Sequence, residues 1–103
     1  MNGNYEQITI DIGSECLAVN SDVIKDKILD CFIEQQQKEI CFDFTNTKHM
    51  DAAGLGVIAS LIFEGRRKRV TFSMKGATGS VLDMLTATGL SRILDLNTDT
   101  DQG

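Results

Sequence analysis

The chain is poor in the residues that build metal and disulfide frameworks. It has one histidine, His49, and three cysteines, Cys16, Cys31 and Cys41, among 103 residues. An odd cysteine count without paired spacing argues against both a disulfide scaffold and a Cys-x-x-Cys metal site. All three fall inside expected strands or helices, where a free cysteine behaves as a small hydrophobe. Neither a metal nor a cofactor is expected. Proline is absent altogether, and nothing about function follows from that. Long apolar runs are lacking as well. The longest, residues 54–63, is about half of the ~20 residues needed to span a membrane. The N-terminus has no basic-then-apolar leader pattern. The expectation is a soluble, cytoplasmic protein without direct membrane insertion.

Positive charge is scarce too. A formal net charge of −5 disfavours non-specific attachment to nucleic acid or anionic membrane. One basic run, Arg66-Arg67-Lys68-Arg69, has the composition of a nucleic-acid patch. Cations closing a helix also complement its dipole, and in an acidic chain that reading is the stronger. No nucleic acid is expected as a partner.

What is present is enough for one small domain over residues 1–103, with an ordered core of 6–96, because the length leaves no room for a second core. Ile8, Ile10 and Ile12 alternate with polar residues and mark a strand. Gly13-Ser14 punctuates, and Cys16 to Val19 reads as a second strand, so the two together suggest a hairpin. Ser21 is placed as an N-cap with Asp22 in the first turn. Val23, Ile24, Ile28, Leu29, Phe32 and Ile33 keep helical spacing up to the glutamines at 35–37. Later, Val70, Phe72 and Met74 alternate as a strand. Ser80 and Asp83 fit a capping box, and Gly89 fits a C′ glycine. Residues 90–96 offer a last short strand around Ile93-Leu94.

The centre of the chain is the most informative. Ile40, Phe42 and Phe44 fall on one side of a strand, with Cys41 and Asp43 on the other. A polar connection over 45–49 leads to Asp51-Ala52-Ala53-Gly54 and an apolar run, 55–63. That run is too long and too rich in Ala and Gly for a strand. It reads as a helix apolar on nearly all sides and packed into the body of the domain. Asp51 is placed to cap it. Ala52, Ala53 and Gly54 leave its positive end open, a natural seat for an anion such as phosphate.

Strand, short loop, Asp-small-small-Gly-Leu-Gly-Val and buried helix together resemble the signature of the STAS domain, the sulfate transporter and anti-sigma factor antagonist family. In the antagonist branch the motif reads Asp-Ser-Ser-Gly-Leu-Gly-Val, and a partner kinase phosphorylates the second Ser. Asp51, Gly54, Leu55, Gly56 and Val57 are in register with it, and Ala53 stands where the phospho-acceptor belongs. Thr88-Gly89-Leu90 looks like the family's late Gly-Leu turn, and Asp43 like the Asp that ends its central strand. Asn20 falls where many members have an Asp facing the phosphosite, in a segment that here reads Leu17-Ala18-Val19-Asn20.

The resemblance implies a single small α/β STAS-type domain. Its mixed β-sheet has helices packed against it, in the order β-β-α-β-α-β-α-β. It also implies a non-enzymatic, anti-sigma factor antagonist-like partner-switch protein. The implied partner is a cytoplasmic GHKL-type serine kinase that doubles as an anti-sigma factor, or a switch phosphatase. The docking residues would be Asp51, Ala52, Gly54, Leu55, Gly56 and Asn20 around Ala53. Ala53 cannot accept phosphate, either as a natural feature or as a replacement of Ser. The alternatives are a structural STAS subunit of a lipid-transport or other signalling complex, and a weak nucleotide-binding module. Some members serving lipid transport also read Asp-x-Ala-Gly here, whereas Leu55-Gly56-Val57-Ile58 favours the antagonist branch.

Catalysis would need convergent reactive groups. A Cys41–His49 or His49–Asp51 pair can be drawn, but strand alternation turns Cys41 away from the Ile40 and Phe42 face, and no third member is evident. Residues 76–80, Gly-Ala-Thr-Gly-Ser, have the glycines of a phosphate loop without its following Lys.

Overall fold

In a computed structural model, residues 7–31, 39–93 and 95–96 are described. Their order is β1 (Gln7–Asp11), β2 (Glu15–Cys16), a 3-10 turn (Ala18–Asn20), α1 (Ser21–Leu29), β3 (Glu39–Asp43) and β4 (His49–Met50). Then follow α2 (Ala52–Arg67), β5 (Thr71–Lys75), α3 (Gly79–Ala87), α4 (Leu90–Ile93) and β6 (Asp95–Leu96). The α/β class expected from the sequence is what forms.

One sheet has the strand order β1-β3-β5-β6, and its three ladders are all parallel. Ile8 lies beside Ile40, and Ile40 beside Phe72. Parallel neighbours need a crossover connection, usually a helix, and α1, α2 and the α3–α4 pair supply the three crossovers in turn. Phe42 stacks on Phe72 with ring centroids 5.3 Å apart. Ile24 and Ile28 of α1, and Ile58, Leu61 and Ile62 of α2, join these rings in one buried cluster.

Several local expectations give way. The β1–β2 hairpin and the mixed sheet do not form, since every ladder among the described residues is parallel. Asp11 Oδ1 accepts the Gly13 N–H, and Gly13 takes a left-handed φ of +96°. That turn steers the chain away from β1, and β2 pairs instead with β4 in a separate two-stranded sheet. Ala18, Val19 and Asn20 leave the strand for the 3-10 turn. The loop over 45–49 ends in β4.

Cys41 is 0 % exposed despite sitting opposite Ile40 and Phe42 in the alternation. Central strands of a parallel sheet are covered on both faces, and Ser73, its neighbour on β5, is buried with it. Val23 is 66 % exposed, leaving Ile24 and Ile28 as the buried face of α1. That helix begins at Ser21 with Asn20 as its cap residue, so Ser21 is the first helical position. Its expected continuation through Phe32 and Ile33 to 35–37 lies outside the described residues, as do both chain ends. In α3 the cap position is Thr78, not Ser80, and Asp83 falls beyond the first turn. Gly89 does follow the helix with φ +83°, as a C′ glycine should. The last segment splits into α4 and β6, with Leu94 outside the described residues.

Candidate functional site

Asp51 organises the entry to α2. Its backbone is extended and its Oδ1 accepts the Gly54 N–H at 2.8 Å, the N-cap geometry expected from the sequence. Its Oδ2 turns the other way and accepts the Ala18 N–H at 3.1 Å, across 33 residues of chain. Its own N–H donates to the Cys16 carbonyl at 3.2 Å. One side chain therefore caps the helix and holds the 3-10 turn against it.

The two-stranded β2–β4 sheet brings these segments together. Glu15 lies beside His49 and Cys16 beside Met50. Ser14 accepts the Lys48 N–H at 2.9 Å, and the buried Thr47 hydroxyl donates to the Gly13 carbonyl at 2.6 Å. Asn20 completes the turn from within. Its Oδ1 accepts the Leu17 N–H at 2.8 Å and its Nδ2 donates to the Glu15 carbonyl at 2.7 Å. Asn20 thus shapes the neighbouring loop, which is how it comes to lie near the start of α2.

Within the motif, inside and outside separate cleanly. Gly54 and Leu55 are buried, while Ala52, Ala53 and Gly56 are exposed. Contrary to expectation, α2 is not apolar all round. Its buried stripe is Gly54, Leu55, Ile58, Leu61, Ile62 and Gly65, and Ser60, Phe63 and Arg66 face out. Small residues made the outer face look apolar in sequence although they carry little apolar surface. Next to this face the 3-10 turn presents Val19, 86 % exposed. Sequence reasoning missed Val19 by placing it in a strand. It also missed the Ala18 N–H and Cys16 carbonyl, which as backbone groups leave no residue-type signal.

The electrostatics agree with the geometry. The Gly54 N–H, then the Ala18 N–H, hold the Asp51 carboxyl below its ordinary range. Burial, and then the Asp51 charge, push the Cys16 thiol up to about 11, so it stays protonated and unreactive at neutral pH. Cys41 is buried in β3 and His49 exposed on β4. Among the described residues no group of His, Cys, Asp and Glu is arranged to hold a metal ion, and no helix is long and apolar enough to cross a membrane.

A carboxyl lowered by folding stabilises the fold above its unfolded pKa of about 3.9. That contribution is lost as pH falls through the lower folded value. Stability should therefore decline below about pH 4, with Asp51 and Asp43 both contributing. Asp43 is held down by Thr45, first through its side chain and then its N–H. Asp51→Asn should keep a cap and make the acid-side decline shallower, read by urea unfolding at a series of pH values. An unchanged slope would show that Asp51 is not under this hold.

A family model of the STAS domain matches residues 2–103. The chain belongs to the STAS family. Solved structures with this STAS fold include a putative anti-sigma factor antagonist from Thermotoga maritima, at 19% identity and TM-score 0.75, covering 95% of this chain and 85% of that one. The Bacillus cell fate determinant SpoIIAA in its phosphorylated form matches at 15% identity and TM-score 0.71, covering 99% and 88%. A sulfate transporter family protein from Wolinella succinogenes matches at 13% identity and TM-score 0.69, covering 85% and 70%. No curated protein sequence matches significantly. At these identities the likeness to solved structures establishes the fold, and the family match establishes the membership.

Proposed function

We propose that this STAS domain is an anti-sigma factor antagonist-like docking module. It acts in the cytoplasm on a GHKL-type serine kinase or a related switch protein. The docking surface is the start of α2 with the adjoining 3-10 turn: Asp51, Ala52, Ala53, Gly54, Leu55, Gly56 and Asn20. Asp51, Gly54, Leu55 and Asn20 build this surface, and Ala52, Ala53 and Gly56 present it. The observation that carries the reading is the exposure of Ala53 one position before buried Gly54, at the open end of a capped helix. A methyl there cannot take a phosphate, so no charge is added beside Asp51 and the module stays in its docking-competent form. The fold likeness to both the phosphorylated and unphosphorylated forms of SpoIIAA supports this reading.

The test is a titration of the serine kinase purified from the same cell against three forms of position 53. Ala53→Ser should fold normally, because Ser is tolerated at a helix start. It should accept phosphate from that kinase and ATP, where the parent accepts none. Ala53→Asp puts a carboxylate beside Asp51 on a face that must be desolvated, so binding should weaken roughly tenfold. The loss should be larger at low salt than at high. Equal affinity of all three forms would leave the motif a helix cap and sink the switch reading. Co-purification with a membrane ATPase complex instead would favour the structural-subunit alternative.

A further inference from the structure

The far end of α2 carries a feature that closing a helix does not require. Four of the ten cations, Arg66, Arg67, Lys68 and Arg69, stand in consecutive exposed positions. The helix ends in a Schellman arrangement: the Val70 N–H donates to the Gly65 carbonyl at 2.9 Å and the Arg69 N–H to the Arg66 carbonyl at 3.0 Å. The C′ position of that arrangement is left-handed and normally Gly. Here it is Arg69, at φ +66°, the one non-glycine with positive φ among the described residues. Cations inside the last turn already serve the dipole. Keeping Arg at this position adds charge while opposing the backbone preference.

Two further observations sit on the same patch. Glu64 reaches Arg67 at 3.9 Å and Lys68 at 3.6 Å, both weak exposed pairs. Among the described residues Arg66 and Arg69 form no ion pair. One turn earlier Phe63 is 57 % exposed. Residues three and four apart share a helix face, so Phe63 stands on the same face of α2 as Arg66 and Arg67. Aromatic and Arg side chains together are the composition of an interface anchor.

We infer that Phe63 and the Arg66–Arg69 cluster form a second interaction surface, which takes an acidic protein segment with an apolar residue set among its carboxylates. Guanidinium forks pair with carboxylates in bidentate geometry, and the ring receives the apolar side chain. A membrane or a nucleic acid presents an extended anionic surface, which the net charge of −5 repels as a whole. A short acidic segment meets only the local cations. The surface is at the opposite end of a helix ~24 Å long, so it stands whether or not the Ala53 end docks a partner.

The experiment uses the full chain and a fluorescent peptide alternating Glu with Leu, followed by anisotropy. Saturable binding that weakens as salt rises is expected. Arg69→Gly should weaken binding several-fold without lowering the thermal midpoint, since Gly suits the left-handed position. Adding Arg66→Gln should bring the loss to roughly tenfold or more, and Phe63→Ala should weaken binding on its own. The inference is overturned by no peptide binding, or by affinity unchanged in the Arg69→Gly and Arg66→Gln form. Tighter binding to phosphatidylserine vesicles or to a single-stranded oligonucleotide at the same salt overturns it equally.

Discussion

Gly54→Ala is expected to destabilise the domain by roughly 3 kcal/mol or more, at the upper end of overpacking costs. A Cβ at Gly54 would overlap the Cys16 carbonyl oxygen and approach its carbonyl carbon and sulfur. The obstacle is mainly backbone, which cannot turn aside as a flexible side chain would. Relief requires the start of α2 to move off β2. That movement breaks the bond from the Asp51 N–H to the Cys16 carbonyl and pulls Asp51 Oδ2 from Ala18. The better helix propensity of Ala, about 1 kcal/mol, offsets only part of the loss. Gly56, two positions on, is the internal control. A Cβ there meets nothing within 4 Å, so Gly56→Ala should stabilise by about 0.5–1 kcal/mol. Paired urea unfolding curves decide it. Equal shifts for the two variants would mean that the close approach of α2 to β2 does not govern this motif.

The contrast between those glycines shows what was legible in the sequence and what was not. The motif resemblance put Gly54 and Gly56 in register together, but only the structure separates a glycine needed for packing from one on the open face. The cap by Asp51 was legible because N-capping is local, set by residues three apart. Its second bond, to Ala18, was not, because it joins chain segments through a backbone group. Strand alternation correctly placed Ile40, Phe42 and Phe44 inside. It also put Cys41 on the opposite face, as found, but gave no sign that this face is buried too, because a sheet covered on both faces erases the polar half of the pattern. The β1–β2 hairpin failed for a related reason. Adjacent runs with a glycine between them look alike whether the turn closes a hairpin or diverts the chain, and here Asp11 and Gly13 divert it. Phe63 and the basic run were visible as residues. That Phe63 shares an exposed face of α2 with Arg66 and Arg67 emerged only once the buried stripe of the helix was known.

Ile58→Ala is expected to cost about 2–5 kcal/mol, the range for large truncations in a packed core. Ile58 is 0 % exposed and lies one turn into α2 from Gly54, in the cluster that includes Ile24, Ile28 and Phe42. Removing the three outer carbons leaves a void between helix and sheet. The surroundings can close it only by shifting elements already fixed by the parallel ladders. For a small domain of ~5–15 kcal/mol total stability, that is a large fraction. The midpoint of urea unfolding should fall while the slope stays the same, as it does when the folded and unfolded states keep their compactness. Ile58 is buried under the proposed docking surface and cannot touch a partner. At temperatures where the variant is still folded, its affinity for the partner titrated at position 53 should therefore match the parent's. A loss of stability below ~1 kcal/mol would mean that α2 can settle into the space. A loss of affinity in the fully folded variant would mean that the docking face depends on the packing beneath it, and that Ala53 and its neighbours are not held rigidly by Asp51 alone.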